Sequence, residues 1–211
     1  MSTCVAPDLE TYSAQAVLAH CVEEFHPRLA VATSFQKEAS VIMDMLIRLE
    51  PSVRFFTLDT HALFPETRAI WQRVQEHYGI VVEGVEGEIV PGLWKTDTDR
   101  CCDLRKVRPL RDTLATADAW VSGVRRDQSI TRAETPKLDW DAKHGLWKAN
   151  PLADWTEKDV WNYIFANDVP YHELHDRGYA SIGCEPCTAP GDARDGRWSG
   201  SVKTECGIHV E

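Results

Sequence analysis

Apolar and polar positions along the chain follow two periods, and the switches between them mark out its elements. Residues 8–25 place Leu9, Tyr12, Ala16, Val17, Cys21 and Phe25 near helical spacing. Residues 28–34 (RLAVATS) read as a short buried strand, and 37–49 (KEASVIMDMLIRL) return to the helical period. Residues 53–59 (VRFFTLD) form a second strand candidate. Pro65 suits the first turn of a helix over 65–78, and Gly79 suits its C-terminal cap. Residues 80–85 and 119–123 (AWVSG) complete the strand candidates.

Strands alternating with helices of this length predict βαβ units, and so an α/β fold with a parallel sheet flanked by helices. Ligands of such sheets lie beyond the carboxyl ends of the strands, which here are 33–37, 58–61 and 123–127. After about residue 125 the alternation fades, leaving one further helix near 156–166 with Thr156 as its N-cap. From residue 183 onward the chain is rich in Gly, Pro, Asp and Arg and reads as irregular backbone.

Composition changes this picture little. The 211 residues are 43% hydrophobic and 27% charged, as in ordinary globular proteins. A net charge of −10 argues against general affinity for nucleic acid or anionic membranes, while allowing a small anionic substrate wherever basic side chains cluster. The first residues lack the charged start and apolar run of a signal peptide, and no stretch approaches a membrane span. A cytoplasmic protein is expected.

Seven cysteines alter the reading more. Cys4 and Cys21 are expected to be ordinary small hydrophobes. The other five form an adjacent pair, Cys101-Cys102, a C-x-x-C pair, Cys184 and Cys187, and the near-terminal Cys206. The C-x-x-C spacing suits a zinc ligand pair, a redox dithiol or an iron–sulfur ligand pair. Consecutive side chains diverge from the backbone, so the adjacent pair favours a larger cluster over one zinc ion. Cys206 is followed by Gly207, which gives the tail backbone freedom, and by His209, close enough to act on a thiolate or an anionic substrate.

Six ordered motifs running from about residue 28 to the C-terminus resemble the assimilatory adenylyl-sulfate (APS) reductases. They are Leu58-Asp59-Thr60 with Leu63-Phe64-Pro65-Glu66-Thr67; Arg100-Cys101-Cys102-Asp103-Leu104-Arg105-Lys106; and Ser122-Gly123-Val124-Arg125-Arg126-Asp127-Gln128-Ser129. The others are Asn150-Pro151-Leu152-Ala153-Asp154-Trp155, Gly183-Cys184-Glu185-Pro186-Cys187-Thr188 and Glu205-Cys206-Gly207-Ile208-His209. The resemblance implies a fold like the adenine-nucleotide alpha-hydrolases with a modified pyrophosphate loop, here Ser34-Phe35-Gln36-Lys37-Glu38. That loop lacks the glycine pair of the ATP-cleaving relatives, and His61 stands where the family usually carries glycine. It also implies an α/β nucleotide-binding domain over 1–183, with a tail over 184–211 that carries cluster ligands and the catalytic cysteine.

The implied reaction is attack by a Cys206 thiolate on the sulfur of adenosine 5'-phosphosulfate, expelling AMP, followed by release of sulfite by thioredoxin or a similar dithiol. By the same resemblance Cys101, Cys102, Cys184 and Cys187 hold a [4Fe–4S] cluster. Lys106 lies between cluster and substrate, and Arg194, Arg197 and His209 contact the phosphosulfate. Ser34, Leu58 and Gly123 contact adenosine, and Arg125, Arg126 and Arg132 are further candidates for the anion site. The nearest rival is a reductase of the 3'-phosphorylated substrate, PAPS, or of both substrates. A transfer-RNA thiolase and a zinc-stabilised binding module are the more distant ones. Self-association into a homo-oligomer is left open.

Overall fold

A computed structural model describes residues 7–198, 203 and 205–209; Cys4 lies outside them. Among the described residues six strands form one sheet in the order β3-β2-β1-β4-β6-β5. They are β1 (Leu29–Ala32), β2 (Arg54–Asp59), β3 (Val82–Glu86), β4 (Ala119–Val121), β5 (Leu138–Asp141) and β6 (Leu146–Ala149). All neighbours pair in parallel except β5, which runs antiparallel along β6 at one edge. The expected parallel sheet is present. The fading after residue 125 was misleading, however, because β6 pairs directly with β4. Its run, Leu146-Trp147-Lys148-Ala149, alternates too briefly to stand out in sequence.

The two-residue period of the strands sorts their side chains onto two faces. Leu29, Val31, Phe55, Val82, Ala119, Val121 and Ala149 pack on one face against α1 (Ala14–Phe25), α2 (Lys37–Leu49), α3 (Pro65–Tyr78) and α7 (Glu157–Ala166). Ala30, Phe56, Trp120 and Leu146 turn to the other face and meet Leu110 and Leu114 of α6 (Arg108–Leu114). Each fully buried large aliphatic side chain contributes about 1.5–3 kcal/mol, so both faces drive closure. A third element, Ile208 of the tail, also packs on the second face.

Local signals account for most helix ends. The Oγ of Ser13 accepts from the Ala16 N–H, so α1 begins at Ala14 rather than residue 8. Leu9 still reaches the core from the preceding turn. Gly79 closes α3 at φ 66°, and Thr156 caps α7 through a reciprocal bond with Asp159. Between β3 and α6 the chain forms α4 (Leu93–Thr96) and α5 (Thr98–Cys102), then a π-helical turn over Asp103–Val107. Gly87 lets this turn approach: a Cβ there would lie 2.2 Å from the Leu104 carbonyl oxygen.

His61, in the position expected to want glycine, adopts φ 53°. The backbone thus keeps a glycine-like left-handed shape under a larger side chain. Its N–H donates to Asp59 Oδ1 at 2.9 Å, and its imidazole lies 3.1 Å from Glu86.

Candidate active site and cysteine-lined pocket

The loops beyond β1, β2 and β4 open onto one cavity of about 250 Å³. Its lining includes Leu58 near the end of β2, Ser34 and Gly123 from the loops after β1 and β4, and Arg194, Arg197, Cys206 and His209 from the C-terminal segment. The modified loop is held from below. Lys37 donates to Glu157 at 2.7 Å, the Lys37 N–H to His175, and Gln36 accepts from the Ile182 N–H at 2.8 Å. Phe35, fully buried at φ 57°, stacks on Trp71. A Cβ on Gly123 would press on Glu38 at 3.0 Å, so the β4 loop and the start of α2 are in close contact.

A second, smaller cavity is lined by Cys101, Cys102, Cys184 and Cys187, with Ala62, Trp94, Pro186 and Trp198. Irregular pairing brings the C-x-x-C segment there: Leu63 bridges Cys184 and Thr188 bridges Arg197, while Glu185 N–H donates to Ala62 carbonyl. Arg105 ties the π turn to the loop after β2, donating to the Thr60 carbonyl at 2.9 Å. Among the described residues, no three of these sulfurs lie within 4.8 Å of one another. Tetrahedral zinc at 2.3 Å would hold its sulfurs roughly 3.8 Å apart. Four cysteines around one pocket at wider spacing fit the donor set and size of an iron–sulfur cube.

Lys106 and Cys184 line both cavities and so form the wall between them. Desolvation works against the Lys106 ammonium, but Cys184 and Cys206, with Cys102, outweigh it and raise its pKa despite Arg197. Thr60 Oγ1 lies 3.3 Å from Cys184 Sγ. Cys21, by contrast, is fully buried, with its thiol pushed up to about 12 by burial, as expected of a packing residue.

The basic residues divide by environment. Arg197 is buried, stacked on Trp198 at 4.6 Å, and donates to Ser181 Oγ and the Ile182 carbonyl, while its Nε has no hydrogen-bond partner among the described residues. Arg132 and Arg194 both reach Glu205. Arg125 lines the cavity, but its guanidinium is taken up by Glu38, Asp127 and the Trp155 carbonyl. Arg126 does not join the others. Its side chain turns to Glu10 and the Thr135 carbonyl, away from the cavity lining. His209 is held neutral: desolvation, then Lys148, Arg132 and Arg194, push its pKa well down, and its buried Nδ1 lacks a partner among the described residues.

The profile of the phosphoadenosine phosphosulfate reductase domain matches residues 28–190. The chain belongs to that family. It is 44% identical to the adenosine 5'-phosphosulfate reductase of Salinibacter ruber, over 95% of this chain and 85% of that protein. It is 41% identical to the phosphoadenosine 5'-phosphosulfate reductase of Gloeobacter violaceus, over 98% of this chain and 92% of that protein. The crystal structure of phosphoadenylyl-sulfate reductase from Candida auris superposes with a TM-score of 0.78 at 28% identity, covering 90% of this chain and all of that one. The adenine-nucleotide architecture anticipated for the sheet and its modified pyrophosphate loop is therefore the family's fold.

Sequence reasoning passed over three contributors to this family member's site. Trp120 lies under His209, Lys143 in the β5–β6 turn donates to the Gly207 carbonyl at 2.6 Å, and Glu205 joins Arg132 to Arg194. Only Glu205 stood within a recognised motif, and spacing gave no sign of its partners.

Proposed function

We propose that the protein is an assimilatory adenylyl-sulfate reductase, an oxidoreductase that converts adenosine 5'-phosphosulfate to sulfite and AMP through an S-sulfonate on Cys206. The observation that carries this reading is the shared wall: Cys206 and Lys106 line the cavity at the modified loop, and Lys106 also lines the pocket of four cysteines. Relatives named for the same activity at 42–44% identity over nearly the whole chain support it.

In this reading Ser34, Leu58 and Gly123 receive the adenosine, in part through backbone groups. Lys106, Arg194 and Arg197 oppose the charge of the phosphosulfate, in a site screened from bulk water where such charges act strongly. Neutral His209 offers a hydrogen bond rather than a charge. The Cys206 thiolate attacks the sulfate sulfur, and the bond from that sulfur to the bridging oxygen breaks. AMP departs with the electron pair. A thiolate of a thioredoxin-like dithiol then attacks Cys206 Sγ and sulfite leaves with that electron pair; the second thiol attacks the resulting mixed disulfide, closing the partner's disulfide and expelling the Cys206 thiolate. The dithiol loses two electrons and sulfur(VI) becomes sulfur(IV), so the step balances.

Cys101, Cys102, Cys184 and Cys187 would hold a [4Fe–4S] cluster, which when bound supplies an electrostatic and structural anchor beside Lys106. A cytoplasmic setting, where thiols stay reduced, suits the free cysteines. Steady-state kinetics with thioredoxin should give a higher kcat/KM for the 5'-phosphosulfate than for its 3'-phosphorylated form. The reverse order would transfer the protein to the PAPS branch, to which the Gloeobacter violaceus relative's name points. Iron and acid-labile sulfide should accompany the anaerobically purified chain; zinc without sulfide would remove the cluster.

A further inference from the structure

Glu205 immediately precedes Cys206, and its carboxylate is enclosed by two arginines. Arg132 meets it through Nε at 3.1 Å and through Nη2 at 2.8 and 2.9 Å, and Arg194 Nη2 reaches it at 3.0 Å. The side chains of Arg132 and Glu205 are each 9% exposed. Arg132 is itself set in place: its Nη1 donates to Gln128 Oε1 at 2.6 Å, and Gln128 bonds Glu38 and the Arg125 N–H. The far side of Cys206 is tied as well. Lys143 holds the Gly207 carbonyl, Ile208 packs with Phe56, Leu110 and Trp120, and His209 stacks on Trp120. Cys206 is therefore the middle of a short span fixed at both ends.

A surface ion pair contributes little, but a forked, enclosed carboxylate–arginine contact with charge-assisted bonds contributes more. Removing one charge from it also leaves the others buried and unmatched. A residue next to the nucleophile is an unexpected place for such a contact unless it sets the nucleophile's position.

We propose that Glu205 is a positioning residue whose clamp on Arg132 and Arg194 holds the tail inward and seats Cys206 at the Lys106 wall. What Cys206 does there rests on the proposed function; the clamp itself does not.

The test uses the full-length, cluster-loaded chain and its Glu205→Gln, Arg132→Gln and doubly substituted variants. Iodoacetamide modification of Cys206 is followed by peptide mass analysis without substrate. Rates are compared on the plateau of each pH profile, where loss of a neighbouring charge no longer alters thiol ionisation. Glu205→Gln should raise this rate about tenfold or more, as expected for losing a charge-assisted contact. It should lower single-turnover S-sulfonation at saturating adenosine 5'-phosphosulfate by a similar factor with visible absorption as in the parent, while melting falls because Arg132 and Arg194 are left unmatched. The double variant should be no worse than the poorer single one, because an open clamp cannot be opened twice. Parental modification and sulfonation rates in Glu205→Gln, or single losses that multiply, would overturn the proposal. A parent chain that forms no S-sulfonate would count against the function alone, since the iodoacetamide contrast decides the clamp without substrate.

Discussion

The imidazole of His209 lies parallel to the indole of Trp120, with ring centroids 5.7 Å apart and planes within 4°. Trp120 sits fully buried in β4, its Nε1 donating to Asp141 of β5 at 3.1 Å. A strand at the centre of the sheet thus forms the floor for the end of the tail. Trp120→Phe keeps an aromatic side chain in the core but loses the indole bond and part of the stack. It should lower stability by about 1–3 kcal/mol, measured by urea unfolding. Cys206 S-sulfonation should slow several-fold at saturating substrate. An unchanged sulfonation rate would show that the stack does not help seat the tail.

Gly183 permits the close approach of Arg197. A Cβ there would lie 2.2 Å from Arg197 Nη2 and 2.5 Å from Cζ. Gly183→Ala must therefore displace this guanidinium, which our account assigns to the phosphosulfate. KM for adenosine 5'-phosphosulfate should rise, and AMP, which lacks the sulfate, should lose less affinity than the substrate. Equal losses for both would place Arg197 elsewhere.

His61 occupies a left-handed backbone position with φ 53°. Left-handed geometry costs a non-glycine residue about 1–2 kcal/mol, and the greater freedom of unfolded glycine offsets roughly 0.5–1 kcal/mol of what glycine would recover. His61→Gly should leave stability unchanged or raise it by up to about 1 kcal/mol. A clear loss would mean that the contact with Glu86 outweighs the strain.

His172 gives the fold an acid limit. Burial, with His175 nearby, lowers its pKa to about 4; Arg73 acts the same way and Glu66 opposes it. The Leu174 N–H donates to Nδ1, leaving Nε2 to donate to Thr67 Oγ1 at 2.9 Å, so the fold holds the neutral ring. The unfolded histidine takes up its proton near pH 6.5. The stabilisation is therefore complete above about pH 6.5 and is lost as pH falls towards 4, on the order of 3 kcal/mol in all. Urea midpoints at pH 8, 6 and 5 should fall more steeply for the parent than for His172→Gln. Parallel curves would exclude His172 as the source.

The sequence made legible what repeats locally. The run 37–49 has a period and becomes α2 with the same bounds, and Pro65 and Gly79 bracket α3 by their own backbone preferences. The five motif cysteines and the rim loops were legible through motifs, and the structure gathers them around two adjoining cavities. What remained hidden depends on contacts between distant residues. Short β6 gains its pairing from β4, and β5 from β6, so no local period marks them. Arg125 and Arg126 are neighbours with equal claims in sequence, yet one faces Glu38 and the other Glu10. Glu205 is 73 residues from Arg132, and no spacing rule connects them.

The central claim is that Cys206, and none of the other motif cysteines, takes the sulfonate. Incubating the anaerobically purified chain with adenosine 5'-phosphosulfate in the absence of reductant, followed by intact and peptide mass analysis, tests it most directly. The account predicts a single sulfonate adduct on the peptide containing Cys206, formed with release of one equivalent of AMP and absent from Cys206→Ser. An adduct confined to Cys184 or Cys187, or one that persists in Cys206→Ser, would contradict it.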